Sequence, residues 1–268
     1  MTTPAETVTS DEIIVERDGH VAIITLNRPA KLNAMTVGMD ALMNELAYEL
    51  NNDDDVRAVI LTGTGGRAFS AGSDINDLDS YGTHWNYRNR FDARKDYARA
   101  VWLIRKPVVA AIDGYCIGGG LEMACGADIR IATARSSFGA GEIVHGWHGG
   151  SGQTQLLTHL VGPGHASRLL LTGDRIDGQE ALRIGLVNQL SAPEEVLSDA
   201  HAIAQRMASL SPIAVQRTKN MVRVAQNVPL DTGLLIENDS FAACMATEDA
   251  QEGRAAFAER RKPVFRGA

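Results

Sequence analysis

An α/β fold built around a largely parallel sheet is the class that this sequence predicts, and three observations predict it. Short apolar runs rich in β-branched residues, VRAVILTG, VVAAIDG and DIRIAT, recur along the first two-thirds of the chain. Between them lie segments whose apolar residues fall at helical spacing. Beyond Gly150 the pattern reads as helices only. Strand alternating with helix is the signature of parallel strands joined by crossovers.

The elements follow in order. MTTPAETVTSDE is polar and acidic, with neither signal-peptide nor transit-peptide layout, and residues 1–10 read as a disordered lead-in. EIIVERDGHVAIITLNRP reads as a hairpin turning at Asp18-Gly19. Met39, Leu42, Met43, Leu46 and Leu50 mark an amphipathic helix. VRAVILTG is a buried strand, followed by the loop TGGRAFSAGSDI and a helix from about Tyr81 to Arg105, stopped by Pro107. VVAAIDG is the next strand, Leu121 to Gly126 a short helix behind three glycines, and DIRIAT a further strand. A capping-box pattern, Ser191 to Glu194, opens the helical tail. No internal repeat is visible. The organisation is a core over residues 11–195 and a helical module over residues 196–268.

Bulk properties exclude several function classes. At 268 residues, 44% hydrophobic and 22% charged, this is an ordinary globular chain long enough for a substantial core. A net charge of −7 gives no basic footprint for nucleic acid, and a phosphate-bearing ligand would need a local basic cluster. No apolar run reaches the ~18 residues of a membrane span. Cys116, Cys125 and Cys244 are odd in number and lack C-x-x-C spacing, which reads as reduced thiols in the cytoplasm.

The segment IGGGLEMACGADIRIATARSSFGAGEI concentrates the chemistry. As a nucleotide-binding turn it fails, because Met123 stands where the last glycine of G-x-G-x-x-G belongs. A tight turn of backbone on backbone is the plain alternative. A backbone N–H aimed at a ligand oxygen from a helix N-terminus is the other, and there unpaired amides favour negative charge. AFSAGSDI is a second small-residue turn after a buried strand. Two such turns would aim two donors, one of them the Ser73 N–H, into one crevice, as an oxyanion hole requires. A serine nucleophile competes poorly: Ser70 in A-F-S-A-G lacks the first glycine of G-x-S-x-G, and Ser151 in G-G-S-G-Q misses at the other end. Glu142, His145 and His148 have metal-ligand spacing only on a helix, which Gly141, Gly146, Gly149 and Gly150 disfavour, so no metal is expected. An exposed glutamate is normally a solvated charge. Glu122 instead lies among small and apolar residues, and burial favours the neutral form of a carboxyl, which suits an acid or base near neutral pH. With Glu142 it could hold a water and shuttle a proton.

These residues carry a resemblance. LNRPAKLNAM, AFSAGSDI, KPVVAAIDGYCIGGGLEMACGADIRIA, FGAGEI, LLLTGDRIDGQEALRIGLVNQL and AFAERRKPVF are together similar to the enoyl-CoA hydratase/isomerase, or crotonase, superfamily over about residues 12 to 266. The resemblance implies a spiral of ββα units with a C-terminal all-helical trimerisation module, and an acyl-CoA thioester substrate. It puts the oxyanion hole on Ser73 and Gly119. Glu122 then activates water for addition at Cβ, and Glu142 passes the proton at Cα. Isomerases usually keep only the second glutamate, so the pair implies a hydratase; an isomerase or another crotonase-type lyase or hydrolase is the alternative, ahead of a non-catalytic RNA-binding or scaffold role. Coenzyme A, as part of the substrate and with no further cofactor, would lie along Lys31, Leu32, Ala71, Asp74, Ile75 and Gly118. Phe241 and Arg260, in the basic run Arg260-Arg261-Lys262, match positions that reach adenine and phosphate in relatives. A homotrimer or homohexamer is implied. Gly141 and Gly149 stand where the family commonly has proline, and Gln153 where it has a small residue.

Overall fold

The structure is a computed structural model and describes residues 10–77 and 96–268. The predicted lead-in, Ser10 apart, and the first part of the helix expected from Tyr81 lie outside the described residues.

An antiparallel hairpin opens the fold, β1 (Ile13–Asp18) and β2 (Val21–Leu26). Its loop is Gly19-His20 and not Asp18-Gly19, because Asp18 still pairs with Val21. Gly19 takes the positive φ, 57°, that suits the first position of a two-residue hairpin loop. Helix α1 (Val37–Asn52) starts where the Thr36 hydroxyl accepts the Met39 N–H, and it buries the five apolar residues that its spacing predicts.

Three windings of one unit follow. The first is β3 (Ala58–Gly63), β4 (Ala68–Ser70) and α2 (Tyr97–Leu103). The second is β5 (Val108–Ile112), β6 (Tyr115–Ile117) and α3 (Gly119–Gly126). The third is β7 (Ile129–Thr133), β8 (Ser137–Gly139), a 3-10 turn (Gly141–His145) and α4 (Gln153–Thr172). Helix α4 breaks at Gly162 (φ 76°, ψ 162°), and Pro163 begins its second half. Then come β9 (Arg175–Asp177), α5 (Gly178–Arg183), β10 (Gln189–Ser191), α6 (Val196–Ala208), α7 (Pro212–Ala225), α8 (Leu230–Met245) and α9 (Glu248–Glu259).

The strands sort into a six-stranded sheet, order β1-β2-β3-β5-β7-β10, and a four-stranded sheet, order β4-β6-β8-β9. Each winding adds one strand to each sheet, which makes the chain a spiral of ββα units. The strands β9 and β10 correct the expectation of helices alone beyond Gly150; at three residues each they are too short for alternation to register.

Both faces of the larger sheet are covered. On one, Phe69 and Phe138 from the short strands are fully buried with α1, α2, α3 and α4 in the main core. On the other, Val21, Ile60, Val109 and Ile131 meet Val196, Ala200, Ala204 and Ala208 of α6. Those four lie one helical turn apart, and three are alanine, which lets α6 approach closely. The predicted capping box does not form: Ser191 ends β10 and donates to Asp199, and α6 begins after Glu195. The last residues fold back on α9, where the Glu252 carboxylate accepts from Arg261 and the Val264 N–H, and Asp249 accepts from Arg266 and Gly267. Among the described residues, no helix is long and apolar enough to cross a membrane.

Candidate active site

Three loops end at one cavity, and each follows a short strand of the second sheet. Ser73 comes just after β4, Gly119 just after β6 and Glu142 just after β8. These strands run parallel, so their carboxyl ends share one edge, where open α/β sheets collect ligands. The cavity holds about 170 Å³ and is lined by Ser73, Gly119, Glu122 and Glu142 among others.

The three glycines are there because nothing larger fits. At Gly118 (φ 56°, ψ −125°) a Cβ would stand 2.8 Å from Glu142 Oε1. At Gly119 it would stand 1.8 Å from the Tyr97 hydroxyl, and at Gly120 2.1 Å from the Ser70 carbonyl oxygen. The chain can therefore turn directly from β6 into α3. Gly72 (φ 89°) does the same on the first loop, where a Cβ would lie 2.8 Å from Gly119 N. The two loops thus touch backbone to backbone. Among the described residues, the N–H groups of Ser73 and Gly119 have no hydrogen-bond acceptor. A ligand oxygen between the loops would complete both, with the N-terminus of α3 behind it.

The two glutamates reach the cavity from different windings. Glu122 is 4% exposed on the first turn of α3 and accepts the Ser151 N–H at 2.9 Å. Glu142 sits half-buried on the 3-10 turn, where Gln153 Nε2 donates to its Oε2 at 3.2 Å and to the Gly118 carbonyl at 3.3 Å. Gln153, 1% exposed, therefore buries its amide beside Glu142. Gly149 lies against Glu122 and Gln153, since its Cβ would fall 2.7 Å from Glu122 Oε1 and 2.5 Å from Gln153 Oε1. Glu142, His145 and His148 do not converge on a metal; their segment is a 3-10 turn and a glycine loop.

The remaining residues from the sequence divide in two groups. Ala71, Ile75 and Gly118 line the cavity, and Leu32 takes the Ala71 N–H at 3.0 Å, which brings the Lys31-Leu32 turn alongside. Asp74 sits on the same loop, and the Asn76 N–H, helped by Arg28 at 3.1 Å, holds its carboxyl below the usual range. Phe241 and Arg260 are not brought to this cavity. Phe241 is 61% exposed beside a groove between α7 and α8, and Arg260 caps the C-terminus of α9. Their neighbour Arg261 is committed to Glu252 and Glu259.

Sequence reasoning missed Asp96 and Tyr97. Tyr97, 3% exposed, meets the Ser73 hydroxyl at 2.8 Å and lines the cavity; Asp96 caps α2 and accepts from Ser151. An aspartate directly before Y-A-R-A-V is an N-cap signal, which would have placed the start of α2. Tyr97 gives no signal apart from that of a core aromatic. The far end of α3 is held by Arg130, 3% exposed, which donates to the carbonyls of Ala124, Ala127 and Leu186. Cys125, buried beside it, has its thiol pushed up to about 12 by burial.

The chain is similar to known proteins over nearly its whole length. A family described as enoyl-CoA hydratase/isomerase matches residues 16–268. A short-chain-enoyl-CoA hydratase from Clostridium acetobutylicum is 39% identical over 94% of this chain and 96% of that protein. A crotonyl-CoA hydratase from Syntrophomonas wolfei is 37% identical over 95% and 98%. The crystal structure of an enoyl-CoA hydratase from Bacillus anthracis superposes with a TM-score of 0.90 at 34% identity, covering 96% of this chain and 100% of that one.

Proposed function

The chain belongs to the enoyl-CoA hydratase/isomerase family, and from that premise we propose that it adds water across the double bond of a 2-enoyl-CoA thioester with the residue roles that follow. The reading is carried by the N–H groups of Ser73 and Gly119, which have no acceptor among the described residues and belong to the lining of one cavity with two carboxylates.

The thioester oxygen sits between those two donors. As the Glu122 carboxylate takes a proton from water, the water oxygen bonds to Cβ and the π electrons move to the thioester oxygen as an enolate. The donors stabilise that charge where it develops, which is worth about 10² to 10³ in rate per donor. The enolate collapses as Glu142, in its acid form, delivers a proton to Cα. Return of the proton from Glu122 to Glu142 resets the site. The water supplies the hydroxyl at Cβ, the net proton gained at Cα balances it, and no cofactor beyond the substrate's own coenzyme A is needed. Coenzyme A runs past Lys31, Leu32, Ala71, Asp74 and Ile75.

The protein works as a homotrimer or homohexamer in the cytoplasm. Supporting assembly, α8 exposes Leu230, Leu234, Leu235 and Phe241, more large apolar side chains on one helix than a monomer usually leaves open. Phe241 and Arg260, distant from their own cavity wall, would then meet the coenzyme A of a neighbouring subunit. Supporting the compartment, all three cysteines are free thiols and two are buried. The test is loss of enoyl absorbance on incubating the protein with 2-enoyl-CoA thioesters of increasing length. Hydration of at least one is expected, and no hydration of any overturns the reading.

A further inference from the structure

The loop that carries Glu122's donor is poor at holding itself in place. Residues 146–152 read GWHGGSG, with glycine at four of seven positions, and glycine gives the backbone its widest freedom. Ser151 is nonetheless fixed from two sides. Its N–H donates to Glu122 Oε1 at 2.9 Å, and its hydroxyl donates to Asp96 Oδ2. Asp96 is itself anchored: it is 6% exposed, and its other oxygen accepts the N–H groups of Ala98 (2.9 Å) and Arg99 (3.0 Å) as the cap of α2. A buried carboxylate with three donors acts as a rigid acceptor post. The next residue, Tyr97, meets the Ser73 hydroxyl at 2.8 Å, so the first turn of α2 touches both sides of the cavity.

We propose that Asp96 is a positioning residue for hydration: acting through Ser151, it sets the Glu122 carboxylate at the angle from which it takes a proton from water. The proposal rests on the hydratase reading above. Asp96 itself contacts neither the reacting atoms nor Glu142, Ser73 or Gly119; its path to Glu122 runs through Ser151, and the contact with Ser73 belongs to Tyr97, which both variants retain. The expected signature is therefore a fall in kcat for hydration, with substrate binding and proton exchange at Cα retained.

Three variants test this. Ser151→Ala removes the hydroxyl and keeps the N–H. Asp96→Ser keeps an N-cap oxygen for α2 but is too short to reach Ser151 as well. Ser151→Thr keeps a hydroxyl. Hydration of crotonyl-CoA is measured beside exchange of the α-protons of butyryl-CoA in D₂O. The expectation is that Ser151→Ala and Asp96→Ser each lose about tenfold to a hundredfold in kcat, the scale of a misplaced catalytic group. KM and the exchange rate stay within about twofold, and combining the two changes costs little more than either alone, as for two links of one path. Ser151→Thr runs at least about fivefold faster than Ser151→Ala. Hydration within about twofold of the parent in both variants overturns the proposal, as does hydration falling in step with exchange. A parent that exchanges α-protons but hydrates no enoyl-CoA overturns instead the reading on which the proposal rests.

Discussion

Gly120 and the two glutamates show how little slack single residues have at this site. A methyl group on Gly120 would press on the Ser70 carbonyl at 2.1 Å, and that atom is backbone that cannot swing aside. Gly120→Ala should lower stability by about 1 to 3 kcal/mol, the usual cost of overpacking, seen as an earlier urea midpoint. Replacing Glu142 by Gln should abolish both hydration and α-proton exchange, since Cα then has neither donor nor acceptor. Glu122→Gln should cost hydration about 10² to 10⁴ and spare exchange. Hydration by the Glu122 variant at near the parent rate would make that residue structural, and a reaction needing one carboxylate would become the better account.

Among the elements, α3 carries the site and Arg130 secures its far end. Arg130→Met takes the guanidinium from three buried carbonyls, of which Ala124 keeps the Ala127 N–H, and the expected loss is about 2 to 4 kcal/mol in urea unfolding. Helix α7 is pinned by Lys219, whose amine lies 2.6 Å from Asp128 Oδ2 and 2.8 Å from the Lys106 carbonyl. Burial pulls that amine down to about 8, well below its free value. The native state therefore releases the proton before the unfolded chain does, so unfolding gains protons and stability rises with pH above about 8. Above about 9 the buried thiols of Cys116 and Cys125, raised by burial, act with the opposite sign. Lys219→Met should thus remove a rise in the urea midpoint between pH 7.5 and 9; an unchanged slope would exclude the amine as its source. The elements most legible in the sequence were those with the longest periodic signal: α1, and β3, β5 and β7, which read as apolar runs because both sheet faces are covered. The turn around Gly118 to Gly120 and both glutamates were legible because small residues beside a carboxylate are unusual in a buried stretch. Asp96 was not, because its partner Ser151 is 55 positions away, and Tyr97 was not, because Ser73 is 24 away. Local pattern cannot encode such contacts.

At the scale of the whole molecule, assembly and architecture each make a claim. Sedimentation at micromolar concentration should give three or six times the 28.8 kDa chain mass. Charging the open face of α8 with Leu234→Glu and Leu235→Glu should shift that toward monomer, and a stable 28.8 kDa parent would refute the assembly. The spiral repeats a unit that the sequence does not repeat, because each winding needs only a strand, a short strand and a helix. One consequence concerns how such a catalyst can be altered. Ser73 and Gly119 come from the first two windings, whereas Glu142, Ser151 and Gln153 come from the third. On the proposed roles, the grip on the thioester and the base Glu122 are written in the first two windings, while delivery of the proton at Cα and the loop that holds Glu122 are written in the third, like a fixed handle and an exchangeable bit. Grafting residues 140–153 from a relative with a different reaction should change the product while leaving the grip on coenzyme A intact.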